Sequence, residues 1–202
     1  SSFLEMTAVM CIIAAPLTVA MVLLAEPVVA IMFGPAWEGS GPLVGILALF
    51  YFLRMFEGSA IPLVSGVGKA KQLMWWSATT SVFYVLLVAL ASLAKSGLVI
   101  AATMASIQAL AVLVFYFIIL RPTFGYFGRR YLRSIVPAIS CATLAAPALL
   151  FVYAPISLSP IFQLSVACLA YAALYGVLSC MWNREPVQNF LDVVFPMIKK
   201  RL

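Results

Sequence analysis

The sequence predicts an all-α fold: a polytopic transmembrane helix bundle of six spans, N-in/C-in, with a C-terminal interfacial amphipathic helix. Apolar residues make up 65% of the 202 residues and charged residues only 9%, whereas soluble domains have roughly half and a quarter. The apolar residues form stretches of about 20 residues, the length that crosses a bilayer as a helix. The basic residues are concentrated in the short segments between these stretches, as in membrane proteins of fixed orientation.

Six apolar stretches define the bundle, which we place in residues 1–183. The first contains Pro16 and Pro27, which a span tolerates where neighbouring groups satisfy the freed carbonyls. The third opens with Trp75 and Trp76, which we assign to the aromatic belt at the membrane interface. A short turn at Lys95 makes the third and fourth spans an antiparallel hairpin. The spans are predicted at about 7–33, 43–65, 72–94, 98–120, 132–153 and 160–182.

The charges between the spans predict the orientation of the bundle. Ten Lys and Arg residues lie in the segments on one side of the six spans, and Lys95 alone lies on the other side. Because loops rich in Lys and Arg stay cytoplasmic, we expect both termini to be cytoplasmic. The chain begins with Ser1 rather than methionine, and we expect it to be a piece of a longer polypeptide.

Residues 184–202 are predicted to form a basic cytoplasmic tail. Its apolar residues recur at helical spacing from Val187 to Ile198, which indicates an amphipathic helix too short to span. This helix ends in Lys199, Lys200 and Arg201, so we expect it to lie on the inner leaflet and contact anionic phospholipid. A docking site for another protein is the alternative.

Arg54 and Glu57 are the charged residues around which the second span is organised. Arg54 lies near the predicted midplane, where a charge costs between about 2.5 and 17 kcal/mol unless it faces a protein interior or a water-filled cavity. Glu57 follows three residues later, on the same face of the helix, so the two side chains can pair. Either Arg54 lines a polar pathway for a substrate, or the pair is structural and fixes helix packing.

Other spans also carry polar or small residues. Glu26, just before Pro27, and Gln108 in the fourth span are further candidates for a substrate pathway, and an interhelical hydrogen bond is the alternative for Gln108. The four cysteines lie in apolar stretches and are predicted to be small buried residues. Small residues at four-residue spacing predict close helix packing in the fourth and sixth spans: Gly97, Ala101, Ala105 and Ala109, and Ala172, Gly176 and Cys180.

The composition argues against several classes of function. There is no histidine, and no spacing of cysteines suits a metal ion, so we expect no metal and no cofactor. The outer loops are short and contain Glu38 as their one carboxylate, so we expect no enzyme activity. The positive charge follows membrane topology and does not suggest nucleic acid. Internal prolines, small-residue packing and a charged pair within a span are typical of a transporter.

The order and spacing of motifs in the first half of the chain resemble those of Wzx-like polysaccharide (O-antigen, exopolysaccharide) flippases, a branch of the multidrug/oligosaccharidyl-lipid/polysaccharide exporter superfamily. The resemblance covers roughly residues 10–125 and fits the C-terminal part of these proteins. The motifs are Ala15-Pro16-Leu17, Leu24-Ala25-Glu26-Pro27-Val28-Val29, Ile31-Met32-Phe33-Gly34-Pro35-Ala36-Trp37, Leu43-Val44-Gly45-Ile46-Leu47-Ala48 and Ser65-Gly66-Val67-Gly68-Lys69-Ala70.

This resemblance implies a protein of two lobes in the bacterial inner membrane that flips undecaprenyl-diphosphate-linked oligosaccharide by alternating access. It implies that Arg54 meets the diphosphate or sugar. Six spans make one lobe, so the partners implied are the lipid-linked oligosaccharide and either a missing N-terminal lobe or a second subunit. Two alternatives stay open: a multidrug/cation antiporter of the same superfamily, in which Glu26 and Glu57 hold the ion, and a truncated membrane bundle that transports nothing.

Overall fold

A computed structural model of the chain describes residues 2–125, 128–153 and 160–182. These residues are helical apart from short connections, and no strand occurs among them, so the all-α prediction holds for this part of the chain. A 3₁₀ turn at Pro35–Trp37 follows the second helix, and a π-helical turn at Tyr116–Leu120 follows the fifth. The helices are α1 (Ser2–Leu23), α2 (Ala25–Phe33), α3 (Gly41–Gly66), α4 (Ala70–Ser92), α5 (Gly97–Phe115), α6 (Arg121–Phe124), α7 (Gly128–Tyr153) and α8 (Pro160–Trp182).

Four helical segments in the described residues are long and apolar enough to cross a membrane: Gly41–Gly66, Ala70–Ser92, Gly97–Phe124 and Ile161–Trp182. The bent pair α1–α2 would make a fifth, and the apolar part of α7 at Ile135–Leu149 is shorter. The chain is therefore a helical membrane protein with four or five candidate spans. Six spans and cytoplasmic termini remain predictions, and the basic tail, with Lys199, Lys200 and Arg201, lies outside the described residues.

The predicted first span is not one continuous helix. The axis bends by 76° between Thr7–Leu23 and Ala25–Phe33. Pro27 accounts for the position of the bend, because it has no N–H to donate to the carbonyl of Leu23, four residues earlier, and its ring clashes with that carbonyl. Pro16 lies inside α1 instead. The first span predicted at about 7–33 is therefore either one span broken at residue 24 or a helix followed by a separate short helix.

α1 lies between two groups of helices. On one side it packs against α7, which in turn packs against α8; on the other it packs against α3, which packs against α5. Small buried residues let α1 and α7 approach closely, among them Cys11, Ala15, Ala138, Cys141, Ala142 and Ala145. α4 lies outside this core, contacts α5 and α3, and has no fully buried residue.

Of the two stripes of small residues predicted to pack closely, the one on α5 lies at a helix interface and the one on α8 does not. On α5, Ala101 is buried and Gly97 lies close to Leu43 of α3, so this stripe is at a helix interface. On α8, Ala172 and Cys180 are exposed, and a side chain at Gly176 would meet nothing within 4 Å. Among the described residues, the stripe on α8 therefore does not form the close helix contact that was predicted.

α8 packs instead through a stripe of tyrosines. The hydroxyl of Tyr171 donates to the carbonyl of Ala142 (3.3 Å), and that of Tyr175 donates to the carbonyl of Ile12 (2.8 Å). These bonds satisfy phenol groups in an apolar core and fix the rotation of α8. The same rotation leaves Cys168 and Cys180 exposed, so the prediction of buried cysteines is wrong for these two, whereas Cys11 and Cys141 are buried as predicted; no disulfide joins any of the four.

Candidate functional site

A polar cluster joins α3, α4 and α5 inside the bundle. The carboxylate of Glu57 accepts two hydrogen bonds: one oxygen from the indole N–H of Trp76, the other from the side-chain amide of Gln108 (3.0 Å). The amide oxygen of Gln108 accepts a further bond from the Tyr84 hydroxyl. We call these four residues the Glu57 network. The carboxylate on α3 thereby accepts from one donor on α4 and one on α5, and Tyr84 on α4 joins the network through Gln108.

Aromatic contacts hold the network in place. The ring of Trp76 lies 5.4 Å from that of Phe115, and the ring of Tyr84 meets Phe50 edge-on at 6.2 Å. Gln108 is fully buried, and Glu57 and Tyr84 are half-buried. An unpaired polar group in an apolar environment costs several kcal/mol, so the mutual hydrogen bonds are what make these side chains compatible with a membrane interior. The interhelical hydrogen bond considered for Gln108 is present.

Arg54 lies outside this network. Its side chain is exposed, and within the described part of the chain it forms no ion pair with Glu57, whose oxygens are occupied by Trp76 and Gln108. The guanidinium interacts electrostatically with Tyr84. The expected Arg54–Glu57 pair is therefore absent from this structure, because donors from the neighbouring helices α4 and α5 take the carboxylate instead.

Arg54 belongs to an exposed stripe along α3. Residues 51, 54, 58, 61 and 65 are all exposed and recur every three or four positions, so they share one face. Arg54 lies 12 residues from the end of α3, about 18 Å along the helix. A side chain cannot cross that distance to reach the interface by snorkelling. In a bilayer, this face requires water or further protein beside it.

Glu26 is far from the network and binds backbone instead. Its two carboxylate oxygens accept hydrogen bonds from the N–H groups of Gly39 (2.6 Å) and Gly41 (3.0 Å). These groups lie just before and at the start of α3, where unpaired N–H groups and the helix dipole favour a negative charge. Glu26 thus links α2 to the beginning of α3. Contact between Glu26 and a substrate stays a prediction.

Trp76 and Tyr84 were not among the candidates from the sequence. Trp76 was assigned to the interfacial belt; Trp75 is exposed, as that assignment requires, but Trp76 turns inward to Glu57. Trp76, Thr80 and Tyr84 recur every four residues and are each half-buried. This i, i+4, i+8 spacing on an apolar helix is the signal that could have placed Trp76 and Tyr84 together on the face of α4 that packs against α5.

A second interhelical contact lies beyond the C-terminal end of α3, whereas Glu26 binds the N-terminal end. Lys69, in the turn between α3 and α4, donates to the hydroxyl of Thr123 in α6 (2.9 Å), and this hydroxyl donates to the carbonyl of Ile119 (2.6 Å). Gly68 has a φ of 79°, a backbone conformation that glycine adopts without cost. The turn therefore directs Lys69 across to the end of the α5–α6 segment.

We expect Lys69 and Thr123 to be energetically coupled. Single variants Lys69→Met and Thr123→Val, and the double variant, give a cycle whose interaction energy should be about 0.5–1.5 kcal/mol. Unfolding in SDS, followed by circular dichroism, measures it. Additive single effects would show that the contact contributes nothing.

The chain is similar to a known transport protein over part of its length. Over 71 residues, which is 35% of this chain and 14% of the relative, the chain is 34% identical to the succinoglycan biosynthesis transport protein ExoT of Rhizobium meliloti (strain 1021). The match thus spans about a seventh of that protein. No family model matches the chain, and no solved structure does. Within the described residues, no group of three His, Cys, Asp or Glu side chains could hold a metal ion.

Proposed function

We propose that this chain is part of a bacterial inner-membrane transporter for polysaccharide biosynthesis, which flips oligosaccharide linked to undecaprenyl diphosphate. The observation that carries the proposal is the exposed Arg54 in the middle of an apolar helix, without an ion-pair partner in the described structure. The match to a succinoglycan transport protein supports a polysaccharide substrate. Transport, rather than catalysis, suits a chain whose charged side chains are this sparse.

In this proposal α3 has a fixed side and a functional side. The Glu57 network ties α3 to α4 and α5, so the helix holds a constant rotation relative to them. Arg54, one turn before Glu57, then projects from the bundle at a fixed position. A planar guanidinium donates two parallel hydrogen bonds to phosphate oxygens, and such charge-assisted bonds are strong in a low dielectric.

The surface facing Arg54 would come from protein outside this chain, either an N-terminal lobe or a second subunit. The pathway then lies between that surface and the stripe on α3. Cation antiport would use Glu57 as the ion site, but both oxygens of Glu57 already accept hydrogen bonds from Trp76 and Gln108. The arrangement favours Arg54, and hence an anionic group on the substrate.

Complementation of a strain that lacks its own glycan flippase tests this function. With the full-length parent protein, Arg54→Ala should reduce surface polysaccharide at least about tenfold, because the charge-assisted contact with the anionic group of the substrate is lost. Arg54→Lys should restore part of it by keeping the charge without the planar fork. Membrane levels of each variant are measured alongside, and Lys95→Gln, which removes a charge from an exposed turn, is the control.

Normal polysaccharide with Arg54→Ala would contradict the proposal. Loss of the protein from the membrane would instead assign Arg54 a structural role. Loss of polysaccharide at normal protein levels, with partial recovery by lysine, is the result that supports an anion-contacting residue.

A further inference from the structure

A groove of about 490 Å³ opens on the surface of the bundle, and none of its lining residues belongs to α3. It lies between the first turns of α4 and the π-helical turn after α5, and its lining changes from polar to apolar along α4. Lys71 and Gln72 line the polar end. The remaining lining residues are Trp75, Trp76, Thr79, Ile118 and Ile119.

The π-helical turn contributes one wall of this groove. Ile119 is buried and Ile118 is 61% exposed, so the turn places one isoleucine in the core and the next on the surface. π-Helical turns insert an extra residue into a helix and often occur at functional sites. Trp76 forms part of the same lining while its N–H is directed to Glu57, so the indole meets the groove as an apolar surface.

The polar end of the groove is positively charged, and none of the described residues that line the groove is acidic. Lys71 is exposed and forms no hydrogen bond or ion pair with the described part of the chain. Lys69, two residues earlier, is engaged by Thr123. Beside Lys71, Trp75 is 61% exposed, as suits an amphipathic ring at the level of lipid headgroups.

We propose that this groove binds an anionic phospholipid, with the phosphate at Lys71 and an acyl chain along Trp75, Thr79 and Ile118. The charge at one end and the apolar walls beyond it match the two parts of such a lipid. A zwitterionic lipid offers the same chains, but its own cation offsets the attraction of Lys71. The inference concerns the outside of the bundle and does not rest on the proposed transport function.

Quenching of tryptophan fluorescence by brominated lipids tests the proposal. Trp37→Phe and Trp182→Phe leave Trp75 and Trp76, both in the groove, as the emitting residues. The full chain is reconstituted in phosphatidylcholine that contains increasing fractions of brominated phosphatidylglycerol or brominated phosphatidylcholine. Phosphatidylglycerol should quench at lower mole fraction. Lys71→Gln should weaken its relative association about fivefold, the effect of one lysine near an anionic lipid surface.

Lys95→Gln removes the same charge just beyond the other end of α4 and should leave the lipid association unchanged. Lys71→Arg should retain the association, which would show that position 71 accepts a substitution that keeps the charge. Equal quenching by the two lipids, or an unchanged association in Lys71→Gln, would overturn the proposal. Displacement of the phosphatidylglycerol by millimolar inorganic phosphate would also overturn it, because the groove would then bind a bare anion.

Discussion

Glu57→Ala is expected to lower the free energy of unfolding by about 2 kcal/mol. The substitution leaves the indole N–H of Trp76 and the amide of Gln108 without their acceptor. Hydrogen bonds between membrane helices average about 0.6 kcal/mol, while those to charged groups reach about 1.5–3 kcal/mol. Two bonds at the membrane average amount to about 1.2 kcal/mol, and two at the lower value for charged groups amount to about 3 kcal/mol, so we expect a loss between these two figures. Titration of the purified protein with SDS, followed by circular dichroism, measures it.

Two further variants separate the network from the loss of a charge. Glu38→Ala removes a carboxylate from an exposed turn and should change stability by less than about 0.5 kcal/mol. Glu57→Gln keeps one acceptor oxygen for the two donors and should fall between Glu57→Ala and the unmodified protein. If Glu57→Ala were no less stable than Glu38→Ala, the Glu57 network would contribute nothing to the packing of α3, α4 and α5.

Gly41→Ala is expected to cost about 2 kcal/mol, although the change adds a single methyl group. A Cβ at position 41 would lie 2.8 Å from the backbone N and Cα of Glu26. Backbone atoms cannot rotate away as a side chain can, so α2 and α3 must separate, and such overpacking typically costs about 1–3 kcal/mol. Separation would also lengthen the hydrogen bonds from Gly39 and Gly41 to the Glu26 carboxylate.

The same helix supplies matched controls for Gly41→Ala. A Cβ at Gly45 would lie 3.6 Å from Val22, an ordinary contact, and a Cβ at Gly58 would meet nothing within 4 Å. Gly45→Ala should be nearly neutral. Gly58→Ala should stabilise the protein by roughly 0.5–1 kcal/mol, since alanine is the better helix former. Equal effects at positions 41 and 58 would refute the close approach of α2 to α3.

The sequence predicted the helices of this protein better than their rotation. Spans expected at about 43–65, 72–94 and 160–182 correspond to α3, α4 and α8, because bilayer thickness fixes the length of an apolar stretch. The rotation of a helix about its own axis is not determined by the length of its apolar stretch. Lipid and helix partners are equally apolar, so nothing in the apolar pattern of α8 distinguished its tyrosine face from its small-residue face.

The candidate site was predicted in part for a related reason. Glu57 and Gln108 were recognised because each is a polar residue in an apolar stretch, and they contact each other in the structure. Their contact with each other, and their bonds with Trp76 and Tyr84, were not predicted. Glu57 and Gln108 are 51 positions apart, and the spacing of residues within one helix cannot show which side chain of another helix contacts them. Spacing within α3 could suggest only that Arg54 and Glu57 can pair, whereas the carboxylate of Glu57 accepts hydrogen bonds from Trp76 and Gln108 on other helices.

The bend between α1 and α2 bears on how the protein matches the thickness of its membrane. The 22 residues of α1 measure about 33 Å, close to the hydrocarbon thickness of about 30 Å. With α1 upright, the 76° bend turns α2 nearly parallel to the membrane surface. Met32, Phe33 and Trp37 are exposed on and just after α2. Large apolar and aromatic side chains at the membrane interface favour a fixed depth of the helix that carries them. In this arrangement α2 would lie in the membrane surface, and the hydrogen bonds that its Glu26 accepts from Gly39 and Gly41 would set the depth at which α3 enters the bilayer.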